Sequence, residues 1–330
     1  MNVLGAKVHG YYSCLEFQQL EEQQQPVLLK DDNVLIKVHY ADVNPVDLQK
    51  LAGRPDQTGL PVENPPHVPG YGGSGSYATH VVVNENCVAA LKVTETSSQD
   101  DTPLDFQSAA CIPVAGLTAY ESLVKCGIEK KKSLLVVGGS GGVGSWTIVL
   151  AKHMTPNLHI TATASTKEQQ EWCKSLGASK AIPHDEIEQH LDGGREGSVD
   201  AIICLTEPTP ELFASLSNAI KPYGTICLVV AGKSIESLNM GFCFFKCVNV
   251  VTETVFSSIR TGYSHIHPGE EMNQIIHWIV KAGLKVPISP KLVDGRISDK
   301  FSDALKEGGV LKAMSQPHGK MGNLVMNIHE

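Results

Sequence analysis

At 330 residues the chain is long enough for about two domains, each with a core of its own. Its 42% hydrophobic and 19% charged content is that of a soluble globular protein, and its net charge of −8 argues against a nucleic-acid-binding surface. No apolar run reaches membrane-spanning length, Met1–Val8 lacks a signal-peptide core, and the nine scattered cysteines form no Cys-x-x-Cys pair, so a reducing, cytoplasmic setting is expected.

In chain order, the first 107 residues carry strand-like segments such as Asn33–Tyr40 and Tyr77–Val83, broken by the Pro- and Gly-rich stretch Pro61–Gly75. This pattern predicts an irregular β domain, with Glu21–Gln25 as a solvated loop. Lys130-Lys131-Lys132, the one basic cluster, reads as a solvated turn. Strand and helix patterns then alternate from about 108 to 284. Apolar strands are expected at 133–139, 158–164, 199–205, 224–230 and 248–256, with little polar alternation, as when both faces of a sheet are covered. Helices are expected from Ser145 to about Met154, at Lys167–Leu176 before Gly177, and at Leu212–Ile220 before Pro222. Met272, Ile275, Ile276, Ile279 and Val280 form an apolar stripe at helical spacing, stopped by Gly283. The fold class is therefore α/β with a doubly wound parallel sheet. In the tail, strands at Pro287–Val293 and Asn323–Ile328 around a helix at Ser298–Lys306 are expected to return to the N-terminal domain.

The run Leu134–Gly144 carries the chemistry. A buried strand enters a glycine-rich turn that opens a helix, the context a G-x-G-x-x-G match needs to read as a dinucleotide site. Gly139 is expected to permit the tight turn, Gly141 to let backbone approach a pyrophosphate, and Gly144 to let helix and strand pack closely. Ser140, Gly142 and Val143 complete the loop, and the helix N-terminus offers free N–H groups to the anion. The second strand ends Ala164-Ser165-Thr166-Lys167, with no carboxylate to bind a ribose diol before Glu168. Ser165 can donate to a 2′-phosphate and Lys167 can supply the opposite charge, which favours NADPH over NADH. A second reading, compatible with the first, makes Ser165 or Thr166 a helix cap and Lys167 a surface lysine. Leu205 and Val230, at the ends of the fourth and fifth strands, are expected to face the cofactor crevice.

Several segments together resemble the medium-chain dehydrogenase/reductases, and within them the zinc-free quinone oxidoreductase and zinc-type alcohol dehydrogenase-like branch. They are Val43-Asn44-Pro45-Val46-Asp47, His67-Val68-Pro69-Gly70-Tyr71, Ala115–Leu123, Gly138–Gly144, Cys204-Leu205-Thr206 and Ile220–Leu228. The resemblance implies a GroES-like β-barrel domain over 1–108 and 285–330 and a Rossmann domain over 109–284. It also implies Thr118 as a nicotinamide-side contact, His184 beside the adenosine phosphate, and a homodimer paired through the dinucleotide domain; the apolar strand Val248–Phe256 reads either as the exposed edge for that pairing or as a strand buried within one subunit. Asn44 stands where the family's first zinc-ligand cysteine falls and Tyr71 where its histidine falls, so no metal is expected.

Without metal, a hydride from NADPH needs an acceptor that is already electrophilic, a quinone or an α,β-unsaturated carbonyl. Asn44 is the candidate donor to the substrate carbonyl, Asp47 orients its neighbours, and Tyr71 offers a phenolic proton. A turn is the structural alternative for Asn44-Pro45. The chain departs from the family in one place: Gly70-Tyr71 runs almost directly into Gly75-Ser76-Tyr77-Ala78, so barrel strands are missing. A splice-type isoform, an engineered deletion and an omitted stretch all produce this pattern, and the barrel is expected to be incomplete. The alternatives to the reductase reading are a catalytically impaired NADPH-binding regulatory protein and an enoyl-thioester reductase.

Overall fold

The computed structural model describes residues 2–6, 15–19, 33–47, 77–91, 104–191, 196–255, 257–263, 266–316 and 320–328. Tyr71 and the whole Gly70–Ser76 junction lie outside them. Twelve strands are described: β1 (Asn2–Ala6), β2 (Leu15–Gln19), β3 (Asn33–Lys37), β4 (Tyr40–Val43), β5 (His80–Asn84), β6 (Ser133–Val137), β7 (His159–Thr163), β8 (Lys180–Ile182), β9 (Val199–Cys204), β10 (Ile220–Leu228), β11 (Asn249–Thr252) and β12 (Leu324–Asn327). The helices that position the site are α1 (Leu117–Lys125), α2 (Gly142–Met154), α3 (Lys167–Ser175), α4 (Pro210–Ala219), α5 (Gly241–Phe245), α6 (Pro268–Ala282) and α7 (Val310–Ser315).

The chain divides into two compact units. One comprises Met1–Leu117, Phe256–Pro317 and Asn323–Glu330, the other Thr118–Val255 and His318–Gly322. The first unit holds three antiparallel two-stranded ladders, β1–β2, β3–β5 and β4–β12. The last of these ties the tail to the N-terminal segment, with Leu324 opposite Val43 and Asn327 opposite Tyr40. Its core gathers Val38, Val43, Tyr77, Val310, Leu311 and Met326. Amphipathic α6 belongs to this unit by its contacts and ends at Gly283, whose left-handed φ of 65° makes the cap.

The second unit is a six-stranded parallel sheet in the order β11-β10-β9-β6-β7-β8. Counted from β6, this is the 3-2-1-4-5-6 order of a doubly wound sheet, and the strand order reverses at β6 and β9. Leu135, Val137, Ile202, Cys204, Ile226 and Leu228 pack with Phe213 and Leu216 of α4 in one core. Burying each such side chain contributes about 1.5–3 kcal/mol.

The structure corrects several expectations. Residues 180–182 form a sixth strand that the sequence pattern does not reveal. β10 begins at Ile220, ahead of a register shift before Thr225. α2 begins at Gly142, not Ser145. Pro287–Val293 is no strand: Pro290 opens a short helix to Val293, and only Ile288 makes a bridge, to Asn323. A proline N1 residue presets helical φ and donates no ladder hydrogen bond. Within Ser298–Lys306 only the 3₁₀ turn Phe301–Asp303 forms, and the tail's helix is α7.

Candidate active site

In the second unit the glycine loop follows β6 at the reversal point. Gly138, not Gly139, makes the turn, with φ of 85°. Gly139 is required for packing: a Cβ there would stand 2.7 Å from Ala162 Cβ on β7. Gly144 acts as expected, since its Cβ would meet Gly138 O at 2.2 Å. Gly141 differs from both. Its Cβ would find only Gly138 O, at 3.7 Å, so the loop is open on that side. Gly141 is also the N-cap of α2 and makes no side-chain cap, which leaves the first-turn N–H groups of a thirteen-residue helix without one.

Neighbouring elements pin this loop. Thr163 Oγ1 accepts the Gly138 N–H at 3.0 Å and lies 2.7 Å from His184 Nδ1. With its O–H turned to Nδ1, the ring proton sits on Nε2. Burial pushes the His184 pKa down, and the nearby Asp185 only partly restores it, so the ring is neutral at pH 7. Leu205 N–H bonds to Val137 O at 3.1 Å. The Leu205 and Thr206 side chains face the Gly138 Cα, with a Cβ built there 3.6 and 3.3 Å away. Ser145 Oγ donates to Ser140 O at 3.2 Å and accepts from Trp172 Nε1 at 2.9 Å. Ser140 O also takes the Gly322 N–H at 2.9 Å.

Ser165 and Lys167 lie at the tip of β7. Thr166 is the N-cap of α3, in a reciprocal capping box with Gln169, which leaves Ser165 and Lys167 exposed beside it. Gln169 Nε2 donates to Lys320 O at 3.0 Å, which fixes Lys320 next to this tip. Burial lowers the Lys320 ammonium pKa, so the side chain is partly stripped of water. Sequence reasoning singles out neither Thr163 nor Lys320. Only Lys320 carries a usable signal, a lone lysine among glycines, and its long-range pairing is invisible in the sequence. Thr118 is buried at the start of α1, where its carbonyl accepts the Ser122 hydroxyl at 2.7 Å. Val230 lies half-buried just past the end of β10.

In the first unit, Asp47 is the hub of a buried turn. Its Oδ2 accepts the Asn44 N–H at 2.9 Å and the Tyr77 hydroxyl at 2.7 Å, and the Asp47 N–H returns to Asn44 O at 3.1 Å. Asp47 thus orients its neighbours. Tyr77 is fully buried; burial and the Asp47 charge push its pKa well up, so it stays a phenol. Asn44 is buried, and its Nδ2 faces the Asp42 carboxyl without a hydrogen bond of good geometry. Asp42, not singled out in the sequence, points a buried carboxyl toward this turn. Burial raises its pKa well above the usual range and the Asp47 charge adds to this, while the Asn44 amide and Val43 N–H pull it back.

A carboxyl whose folded pKa is raised adds stability below its ordinary 3.8 and loses it as pH rises toward the folded value. Asp42→Asn is therefore expected to be more stable than the wild type at pH 7, with the gain gone by about pH 4. Urea unfolding at both pH values checks this, and an unchanged or lower stability at pH 7 would overturn it.

Among the described residues no three His, Cys, Asp or Glu side chains converge as a metal site. No described helix is long and apolar enough to cross a membrane. No disulfide joins the eight described cysteines.

Comparison with known proteins agrees with this architecture. The zinc-binding dehydrogenase family model matches residues 142–278. A zinc-type alcohol dehydrogenase-like protein of Staphylococcus epidermidis is 30% identical, over 89% of this chain and 90% of its own length. A chloroplastic NADPH-dependent alkenal/one oxidoreductase of Arabidopsis thaliana is 34% identical, over 82% and 78%. The crystal structure of the quinone oxidoreductase from Thermus thermophilus superposes with a TM-score of 0.74 over 99% of this chain and 100% of that one, at 20% identity. The chain belongs to the medium-chain dehydrogenase/reductase superfamily, in its zinc-type alcohol dehydrogenase-like branch.

Proposed function

We propose that the protein is a zinc-independent, NADPH-dependent oxidoreductase that reduces quinones or α,β-unsaturated carbonyls. The observation that carries this reading is the glycine loop at the sheet's reversal point, beside a strand tip with an uncommitted hydroxyl, two lysines and no carboxylate before Glu168. The cradle fits a dinucleotide: Gly141 leaves open the face that a pyrophosphate approaches, and the start of α2 supplies N–H donors. Ser165, Lys167 and Lys320 would take the 2′-phosphate, and His184, held by Thr163, would flank it. A desolvated ammonium such as Lys320 gains most from an opposing charge. Thr118, Leu205 and Val230 would line the nicotinamide side. The names of the alkenal/one reductase and the quinone oxidoreductase support the same cofactor and acceptor class.

When bound, NADPH supplies a hydride. The chain's own task is to place the acceptor oxygen and hold the charge that develops there. We assign Asn44 Nδ2, which faces the Asp42 carboxyl when no acceptor is bound, as the donor for that oxygen, and Asp47 with Tyr77 fixes the turn that carries it. Tyr71 keeps its role as candidate proton source. Zinc independence follows from Asn44 and Tyr71 standing at the ligand positions. We assign the GroES-like domain to 1–108 with 285–330 and the Rossmann domain to 109–284, a division that differs from the compact units in giving 109–117 and α6 to the Rossmann domain. We place the protein in the cytoplasm as a homodimer. β11 is one of the two edge strands of the described sheet, and Phe244 on α5, which precedes it in sequence, is 88% exposed, an apolar group suited to a second copy.

The test is fluorescence titration with NADPH and NADH, followed by an ortho-quinone and an enone. NADPH-selective binding with oxidation is expected; binding without turnover on any acceptor would overturn the reductase reading. Lys167→Glu should cut the preference for NADPH over NADH by about 10- to 30-fold, and Lys320→Met by about tenfold, roughly 1.4–2 kcal/mol. Unchanged selectivity in both variants would remove the phosphate assignment.

A further inference from the structure

The glycine loop occupies one end of the parallel sheet. The opposite end, where β6, β9 and β10 begin, carries an open cavity of about 370 Å³ lined by Lys130, Lys131, Lys132, Lys221, Asp200 and Tyr223. We propose that this cavity binds a phosphorylated small molecule with an aromatic ring, by chemical class a mononucleotide, at a site separate from the dinucleotide loop.

Charge is the first support. The chain carries a net charge of −8, yet four ammonium groups meet here with one carboxylate. That carboxylate is fully engaged. Asp200 Oδ1 pairs with Lys221 Nζ at 2.9 Å, and Oδ2 accepts Lys132 N–H, Ser133 N–H and the Ser133 hydroxyl, each at 2.9 Å. These donors, Lys221 foremost, hold the Asp200 pKa down to about 2. Lys130, Lys131 and Lys132 have no carboxylate partner among the described residues. Three like charges side by side repel, and a di- or trianion relieves them.

Backbone geometry is the second. Tyr223 sits at φ 59°, a left-handed conformation that a bulky residue rarely adopts. Its ring is 74% exposed, so burial does not explain it. The strain is locked in by the irregularity between Ile220 and Thr225, and the Tyr223 N–H is tied to Lys246 O at 2.9 Å. The next position admits only glycine, because a Cβ on Gly224 would stand 2.6 Å from Ile220 Cγ1. Strained positions with an exposed functional group concentrate at binding sites. An exposed ring next to ammonium groups is a stacking platform with phosphate receptors at its edge.

The base of the platform is rigid. Lys246 is 2% exposed, and its ammonium donates to Ser217 O, Asn218 O and Ile220 O at 2.9, 2.8 and 2.9 Å. The cavity volume suits one small molecule. With net negative charge over the rest of the chain, the patch favours that over a nucleic-acid polymer.

The experiment is calorimetric titration of the full chain, saturated with NADPH, using ADP and inorganic pyrophosphate as probes. Both should bind in addition to NADPH. Lys130→Gln/Lys131→Gln/Lys132→Gln should weaken both by at least tenfold. Tyr223→Gly should weaken ADP by about five- to tenfold and leave pyrophosphate unchanged, because only ADP loses a stacking partner. The lysine variant keeps the readout independent of the cofactor site. The proposal is overturned if neither probe binds the NADPH-saturated protein, if ADP binds only when NADPH is absent, or if the lysine variant binds as tightly as the wild type. Equal losses of both probes in Tyr223→Gly would overturn the aromatic-ring assignment.

Discussion

Replacing Gly144 by alanine should weaken NADPH binding at least about 100-fold, roughly 2.7 kcal/mol, and destabilise the fold by about 2–3 kcal/mol. The new methyl would stand 2.2 Å from Gly138 O and 2.7 Å from the Gly139 Cα. Those are backbone atoms, so no rotamer change relieves the clash. α2 must move off the loop, carrying its N–H donors away from the anion site. Gly141→Ala provides the contrast. Its φ of −70° and ψ of 178° suit alanine, and its Cβ meets no protein atom closer than 3.7 Å. Stability should change by less than about 1 kcal/mol, while NADPH affinity falls at least about tenfold as the methyl occupies pyrophosphate space. Thermal unfolding and fluorescence titration of both variants check the pair. Wild-type binding by Gly144→Ala would show that loop and helix need not pack as they do here.

Lys246→Met should cost about 3–5 kcal/mol of stability without touching the cofactor loop. The ammonium is buried and serves three carbonyls at the end of α4 and the start of β10. Carbonyls at a helix C-terminus attract a cation, and removing it leaves buried acceptors without their donor. Methionine fills a similar volume, so the loss reads the hydrogen bonds rather than a cavity. Lys233→Met, at an exposed position, should change stability by less than about 0.5 kcal/mol. Urea denaturation measures both, and equal midpoints for the two variants would refute the assignment.

Local pattern makes the second unit legible. Leu134–Val137 is apolar on both faces and runs straight into glycines, so strand, turn and helix can be placed from spacing alone. The task of Gly139 is misread from sequence because its neighbour Ala162 comes from another strand, and sequence shows no such proximity. β8 escapes notice because Lys180–Ile182 is too short to display a period. In the tail, the apolar residues around Pro287 and Pro290 suggest a strand, although proline chemistry decides the outcome. The turn at Asn44–Asp47 is half legible. Asn44-Pro45-Val46-Asp47 stands out as a motif, but Tyr77 and Asp42 join it only through the fold. Lys130–Lys132 reads as a solvated turn, because Lys221 and Tyr223, which share its cavity, lie far along the chain.

The short segment Lys320–Gly322 bonds both to Ser140 in the glycine loop and to Gln169 at the start of α3. Its position gives it a consequence during synthesis. Lys320 lies 151 residues downstream of Gln169, so at about 5–20 residues per second a ribosome needs roughly 8–30 s more to deliver it. Through that interval the nascent loop lacks its last partner. A chain that stalls before this segment would present a finished sheet with an unlatched cofactor loop.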